Sequence, residues 1–125
     1  MTSQGRLPLA GLTVLIVEDE FLIAVDAQQI IEEAGAAHAL LANSVGAARE
    51  LLATEHPIDV CLLDLKLGKE DGLQLVSDLA SRRIPYVVAT GYADLAGEHV
   101  LVHKPYNGAE VITALLVATK RRQCS

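Results

Sequence analysis

Val60-Cys61-Leu62-Leu63-Asp64-Leu65-Lys66-Leu67-Gly68 is an apolar run that ends abruptly in a carboxylate and passes into a polar, glycine-containing turn. Four apolar residues without polar alternation suit a strand covered on both faces, as the central strands of parallel α/β sheets are. Asp at a strand end is ordinarily a turn former, because its side chain caps nearby amides. Asp64 alone therefore fits either a turn or a reactive carboxylate delivered to a sheet edge. The positions of the other polar outliers decide between them.

Upstream, Leu12-Thr13-Val14-Leu15-Ile16-Val17 is a second run of this kind and ends in Glu18-Asp19-Glu20. Ile23, Ala27, Ile30, Ile31 and Ala34 then share one helical face, and Gly35 stops the helix. His38 to Ala42 reads as a short strand. Ser44 is placed to cap a helix with Val45, Ala48 and Leu52 on its buried face, closed by Pro57. Downstream of Asp64, Asp71 and Gln74 have capping-box spacing, and Leu75, Val76, Leu79 and Ala80 form the stripe of a third helix. Ile84-Pro85 breaks it before the strand Tyr86-Val87-Val88-Ala89, which ends in Thr90-Gly91. A short helix over Asp94 to Glu98 is limited by Gly97. Val100-Leu101-Val102 is the last strand, followed by Lys104-Pro105. Asn107 and Glu110 have capping-box spacing again, with Val111, Leu115 and Ala118 on the final helix.

Strands alternating with helices imply a doubly wound α/β fold with right-handed crossovers. The expected form is a five-stranded parallel sheet in the flavodoxin-like order 2-1-3-4-5. Chemistry in such sheets sits outside the carboxyl ends of the strands. Those ends hold Glu18 and Asp19, Asp64, Thr90 and Lys104, each polar after an apolar run. In the expected order Glu18 and Asp19 converge on Asp64. Three close carboxylates repel unless a cation neutralises them, and all-oxygen ligands favour Mg²⁺ over zinc. Taken singly, Glu18 and Asp19 also suit first-turn acids of a helix, Lys104 a solvated lysine, and Thr90 a strand-end residue. Together they describe a phosphoryl site with a carboxylate nucleophile, an ammonium and a hydroxyl.

The length of 125 residues suits one domain, and 51% hydrophobic residues with 3% aromatics imply aliphatic layers. Residues 1–11 are expected as a flexible N-terminal tail, 12–119 as the domain and 120–125 as a C-terminal tail. Met1 to Gly11 has neither a signal-peptide core nor a membrane span. Cys61 and Cys124 lack metal-ligand spacing and suit a reducing compartment, so a cytoplasmic location is expected. A net charge of −6 argues against a nucleic-acid surface, and Lys120-Arg121-Arg122 reads as a helix-end or tail cluster.

Val14-Leu15-Ile16-Val17-Glu18-Asp19-Glu20, Leu62-Leu63-Asp64-Leu65, Asp71-Gly72, Ala89-Thr90-Gly91 and Lys104-Pro105-Tyr106 resemble, in order and spacing, the receiver (CheY-like) domain of bacterial two-component response regulators. The likeness spans Leu12 to Thr119. It implies that Asp64 accepts phosphate from a histidine kinase or phosphotransfer protein. Asp19, Asp64 and the backbone carbonyl of Lys66 would bind Mg²⁺, with Glu18 acting directly or through water. Thr90 and Lys104 would contact the phosphoryl group. The family's Lys-Pro bond is usually cis, and the same is expected of Lys104-Pro105. Typical receivers carry Tyr or Phe three residues before the lysine as a switch; here that position is Leu101. Val88-Ala89-Thr90-Gly91-Tyr92 instead resembles a subgroup named for a Phe-Ala-Thr-Gly-containing motif, whose members often lack that aromatic. Tyr92 is the candidate substitute; a partly exposed loop tyrosine is its alternative reading.

Only 120–125 follow the domain, so a single-domain phosphoacceptor that signals by protein contact or phosphorelay is expected, assisting its own phosphorylation and dephosphorylation without being an enzyme. The alternatives are a receiver-like module that binds independently of phosphorylation and an aspartyl-nucleophile phosphatase. The phosphatase is disfavoured by Lys66, which stands where such enzymes place a second Asp. A dinucleotide fold is disfavoured because no G-x-G-x-x-G follows the first strand.

Overall fold

The computed structural model describes residues 7–54, 56–90, 100–103 and 106–124. The elements run β1 (Thr13–Val17), α1 (Phe21–Glu33), β2 (His38–Ala42), α2 (Val45–Leu52), β3 (Val60–Asp64), the two-residue strands β4 (Lys66–Leu67) and β5 (Glu70–Asp71), α3 (Gln74–Ser81), β6 (Tyr86–Thr90), β7 (Val100–His103) and α4 (Gly108–Cys124). The main sheet has the order β2-β1-β3-β6-β7, every pairing parallel. Counting only its own strands, this is the expected 2-1-3-4-5. The antiparallel hairpin β4–β5 is the addition that strand patterns did not foretell.

The fully buried strands β1 and β3 divide their side chains by strand periodicity. Val14, Ile16, Val60 and Leu62 pack with Ala27, Ile31, Val111 and Leu115 of α1 and α4. Leu15, Val17, Cys61 and Leu63 point the other way, onto Val45, Leu52, Leu75 and Leu79 of α2 and α3. A run that is apolar at every position is thus the signature of a strand between two helical layers.

The expected buried faces of α2 and α4 are buried as read. In α3, Leu75 and Leu79 are buried, but Ala80 is exposed. Ser44 caps α2 by accepting from the Ala47 amide at 3.0 Å. Asn107 likewise accepts from the Glu110 amide at 3.2 Å. The capping box at Asp71–Gln74 does not form. Asp71 belongs to the hairpin, its Oδ1 accepts from the Leu73 amide at 2.9 Å, and Leu73 at the start of α3 makes no side-chain cap.

Residues 7–11, expected within a flexible tail, form a turn docked on the domain. The Leu9 amide donates to the Ala34 carbonyl at 2.8 Å, and the Leu9 side chain is wholly buried. Burial of the apolar Leu9 side chain makes docking favourable. At the other end, α4 runs past Thr119 as far as Cys124, where a tail was expected. No helix among the described residues is long and apolar enough to cross a membrane.

Candidate functional site

β1 and β3 are adjacent and parallel, with Val17 opposite Leu63, so the acids that follow β1 and the one that ends β3 share the carboxyl edge of the sheet. Oxygen atoms of Glu18, Asp19 and Asp64 lie within 4.8 Å of one another. Three carboxylates gathered this closely could hold one hard divalent cation between them. Glu18 and Asp64 are buried, and Asp19 is exposed. The Glu18 amide extends the β1–β2 ladder by donating to the Ala42 carbonyl at 3.0 Å, and Glu18 Oε2 accepts from the Glu20 amide at 3.2 Å. Two buried carboxylates beside a third acid at the mouth form a donor set of hard oxygens suited to Mg²⁺.

Asp64 is held from below and beside. Its Oδ1 accepts from the Lys66 amide at 3.2 Å. Gly72 donates its amide to the Leu65 carbonyl at 2.7 Å, and a Cβ at Gly72 would collide with the Asp64 carbonyl oxygen. Only glycine permits this approach of one backbone to another. Gly68, at φ 62°, turns the hairpin and brings its tip beside Asp19, whose Oδ2 would lie 3.8 Å from a Cβ there.

Asp64 pairs with Ala89 across β3–β6, so Thr90 stands one position beyond it at the end of β6, opposite His103 at the end of β7. The backbone of Thr90 therefore reaches the expected edge. Lys104, the Lys104-Pro105 bond, Tyr92 and the helix expected over Asp94 to Glu98 lie outside the described residues. Leu101 is half-buried in β7 and pairs with Val88.

Tyr106, quoted above only as part of a motif, is partly buried against the α1/α4 side of the core and lies within electrostatic range of the acids. Burial pushes its phenol well above the usual tyrosine range, and the negative charges of Glu18, Asp64 and Asp26 push it further. Gly72 and Tyr106 are the site residues to which pattern reading assigned no role.

Fold and site together define a doubly wound α/β domain with an acid pocket at the carboxyl edge of its central strands. The profile of the response regulator receiver domain matches residues 14–115. The chain belongs to that family, the receiver domains of two-component systems, and its fold is CheY-like. It is 34% identical over 119 residues to the transcriptional regulatory protein PdtaR of Mycobacterium tuberculosis, an alignment covering 86% of this chain and 57% of PdtaR. This chain thus spans little more than half of that relative's length. The crystal structure of the response regulator PhyR from Brucella abortus superposes with a TM-score of 0.82 at 26% identity, covering 98% of this chain and 54% of PhyR. A response regulator receiver protein from Sinorhizobium medicae has a TM-score of 0.79 at 24% identity, covering 90% of this chain and 97% of its own, a likeness of fold.

Proposed function

We propose that this receiver domain accepts a phosphoryl group on Asp64 from a sensor histidine kinase or phosphotransfer protein, and that the phosphorylated form signals by protein contact or by phosphorelay. The observation that carries the reading is the gathering of Glu18, Asp19 and Asp64 oxygens within 4.8 Å at the carboxyl edge.

Asp19, Asp64 and the Lys66 carbonyl are the proposed Mg²⁺ ligands, with Glu18 direct or through water. The bound ion would neutralise charge between carboxylate and phosphoryl oxygens during transfer. A carboxylate oxygen of Asp64 forms the new bond to phosphorus while the bond from phosphorus to the donor's imidazole nitrogen breaks, and the imidazole leaves with the electron pair and takes up a proton. Thr90 and Lys104 are proposed to contact the phosphoryl group as hydroxyl donor and point cation. The same groups would serve the later attack of water on the aspartyl phosphate, which releases inorganic phosphate and restores the Asp64 carboxylate, so the domain would assist both steps. The proposed location is the cytoplasm, where a phosphodonor of this kind would meet it.

The resemblance of Val88 to Tyr92 to the Phe-Ala-Thr-Gly-containing subgroup supports a switch that does without an aromatic at Leu101, with Tyr92 in its place. Beryllofluoride with Mg²⁺ tests the whole reading: amide signals around Asp64 and Thr90 shift in the wild type and not in Asp64→Asn. An unchanged wild-type spectrum overturns it. Phosphotransfer profiling against a panel of histidine kinases identifies the donor. A partner that binds Asp64→Ala as tightly as wild type under every condition favours the phosphorylation-independent module instead.

A further inference from the structure

The hairpin that leaves Asp64 does more than turn the chain. Lys66 pairs with Asp71 and Leu67 with Glu70, so Leu67 and Glu70 are direct cross-strand partners and share one face of the ribbon. Leu67 is buried in the same cluster as Val45, the first residue of α2. Glu70 reaches that same residue: its Oε1 accepts from the Val45 amide at 3.2 Å. The first turn of α2 has no acidic residue of its own. Ser44 satisfies the Ala47 amide, and a carboxylate borrowed from a segment 25 residues away satisfies the Val45 amide. An anion there is favoured by the open amides and by the helix dipole.

The other end of this tie is the acid site. The hairpin carries the Lys66 amide bonded to Asp64, and the Gly68 tip beside Asp19. Gly72, immediately after it, presses on the Asp64 carbonyl. Because α2 follows β2 and the hairpin follows β3, the Glu70–Val45 bond reaches across the end of β1, the strand that delivers Glu18 and Asp19.

We infer that Glu70 is a positioning residue for the acid site: by capping α2 it holds the β4–β5 hairpin over the carboxylates, so that the Lys66 backbone stays where a cation needs it. The inference rests on the proposed binding of Mg²⁺ at Glu18, Asp19 and Asp64. Glu70 is not one of the proposed ligands of the ion or of the phosphoryl group. Its loss therefore loosens the cation site without abolishing it.

The experiment is an Mg²⁺ titration of the full chain, followed through the Lys66 and Val45 amides by NMR, on wild type, Glu70→Ala and Glu70→Gln. Phosphorylation by acetyl phosphate is measured as a function of Mg²⁺ on the same proteins. Losing a helix cap corresponds to about a three- to tenfold weakening of whatever depends on it. Glu70→Ala should raise the Mg²⁺ dissociation constant by about that factor, with the phosphorylation rate at saturating Mg²⁺ nearly unchanged, and should uncouple Val45 from the titration while Lys66 still responds. Glu70→Gln keeps a carbonyl acceptor and should recover most of the affinity, an outcome that loss of charge alone would not give. Wild-type affinity and a persistent Val45 response in Glu70→Ala overturn the positioning role and leave the Mg²⁺ site standing. A wild-type chain whose Lys66 amide ignores Mg²⁺ overturns both.

Discussion

Gly72 has little freedom beside the acid pocket. A methyl group there would meet the Asp64 carbonyl oxygen, a backbone atom that cannot swing aside. Gly72→Ala should therefore cost about 3 kcal/mol of stability, at the upper end of overpacking effects, and displace Asp64. Urea denaturation combined with the beryllofluoride response checks both. Cys61, fully buried in β3, shows the opposite kind of constraint. Burial pushes its thiol far above the usual range. The folded state then keeps its proton where the unfolded chain releases it, so this contribution to stability is complete below roughly pH 8.5 and declines as pH rises beyond it. Tyr106, raised by burial and by the Glu18, Asp64 and Asp26 charges, adds to the decline above roughly pH 10. Urea midpoints should fall through this alkaline range, and Cys61→Val should flatten the first part of the fall. A midpoint independent of pH between 8 and 10 in the wild type contradicts the assignment. At this scale the acids were legible because each interrupts an apolar run. Glu70 was not, because a cap supplied to a helix 25 residues upstream leaves no local spacing.

Helix ends divide sharply into those that local spacing specifies and those that it does not. Ser44 and Asn107 cap as read, since each needs only an amide three residues on. Asp71 has the same spacing to Gln74, yet hairpin pairing with Lys66 takes precedence and moves the start of α3. Two-residue strands carry too little alternation to announce themselves, so the hairpin was hidden. The α3 terminus offers a test. The Ile84 amide donates to the Leu79 carbonyl at 2.9 Å and the Arg83 amide to the Ala80 carbonyl at 3.0 Å, the two bonds of a Schellman ending. The residue in the left-handed position is Arg83, at φ 58°, where α1 uses Gly35 at φ 101°. A side chain in that region costs about 1 kcal/mol relative to glycine. Arg83→Gly should stabilise the domain by up to about 1 kcal/mol, read from the urea midpoint.

The molecule as a whole is organised by one register. With β1 between β2 and β3, and β6 following β3, every strand of the main parallel sheet ends at the same edge, so residues as distant as Glu18 and Asp64 become neighbours. That arrangement was legible because two-sided apolar runs, alternating with amphipathic helices, admit few topologies. The opposite edge was misread. Leu9 follows Pro8 in a short segment with no periodicity, and only the assembled domain shows the pocket that it fills. Leu9→Ala should cost about 2–4 kcal/mol, as for other buried leucines, measured by thermal or urea unfolding. A loss below about 0.5 kcal/mol would mean that the turn is not part of the core.

The docked turn also decides how the protein can be handled. Leu9 is pinned to Ala34 at the far end of α1, and a 13-residue helix is about 20 Å long. An affinity handle or surface linker joined ahead of Leu7 would leave the molecule from the side remote from its carboxylates. Immobilised in that orientation, the domain presents its acid pocket outward to whatever flows past.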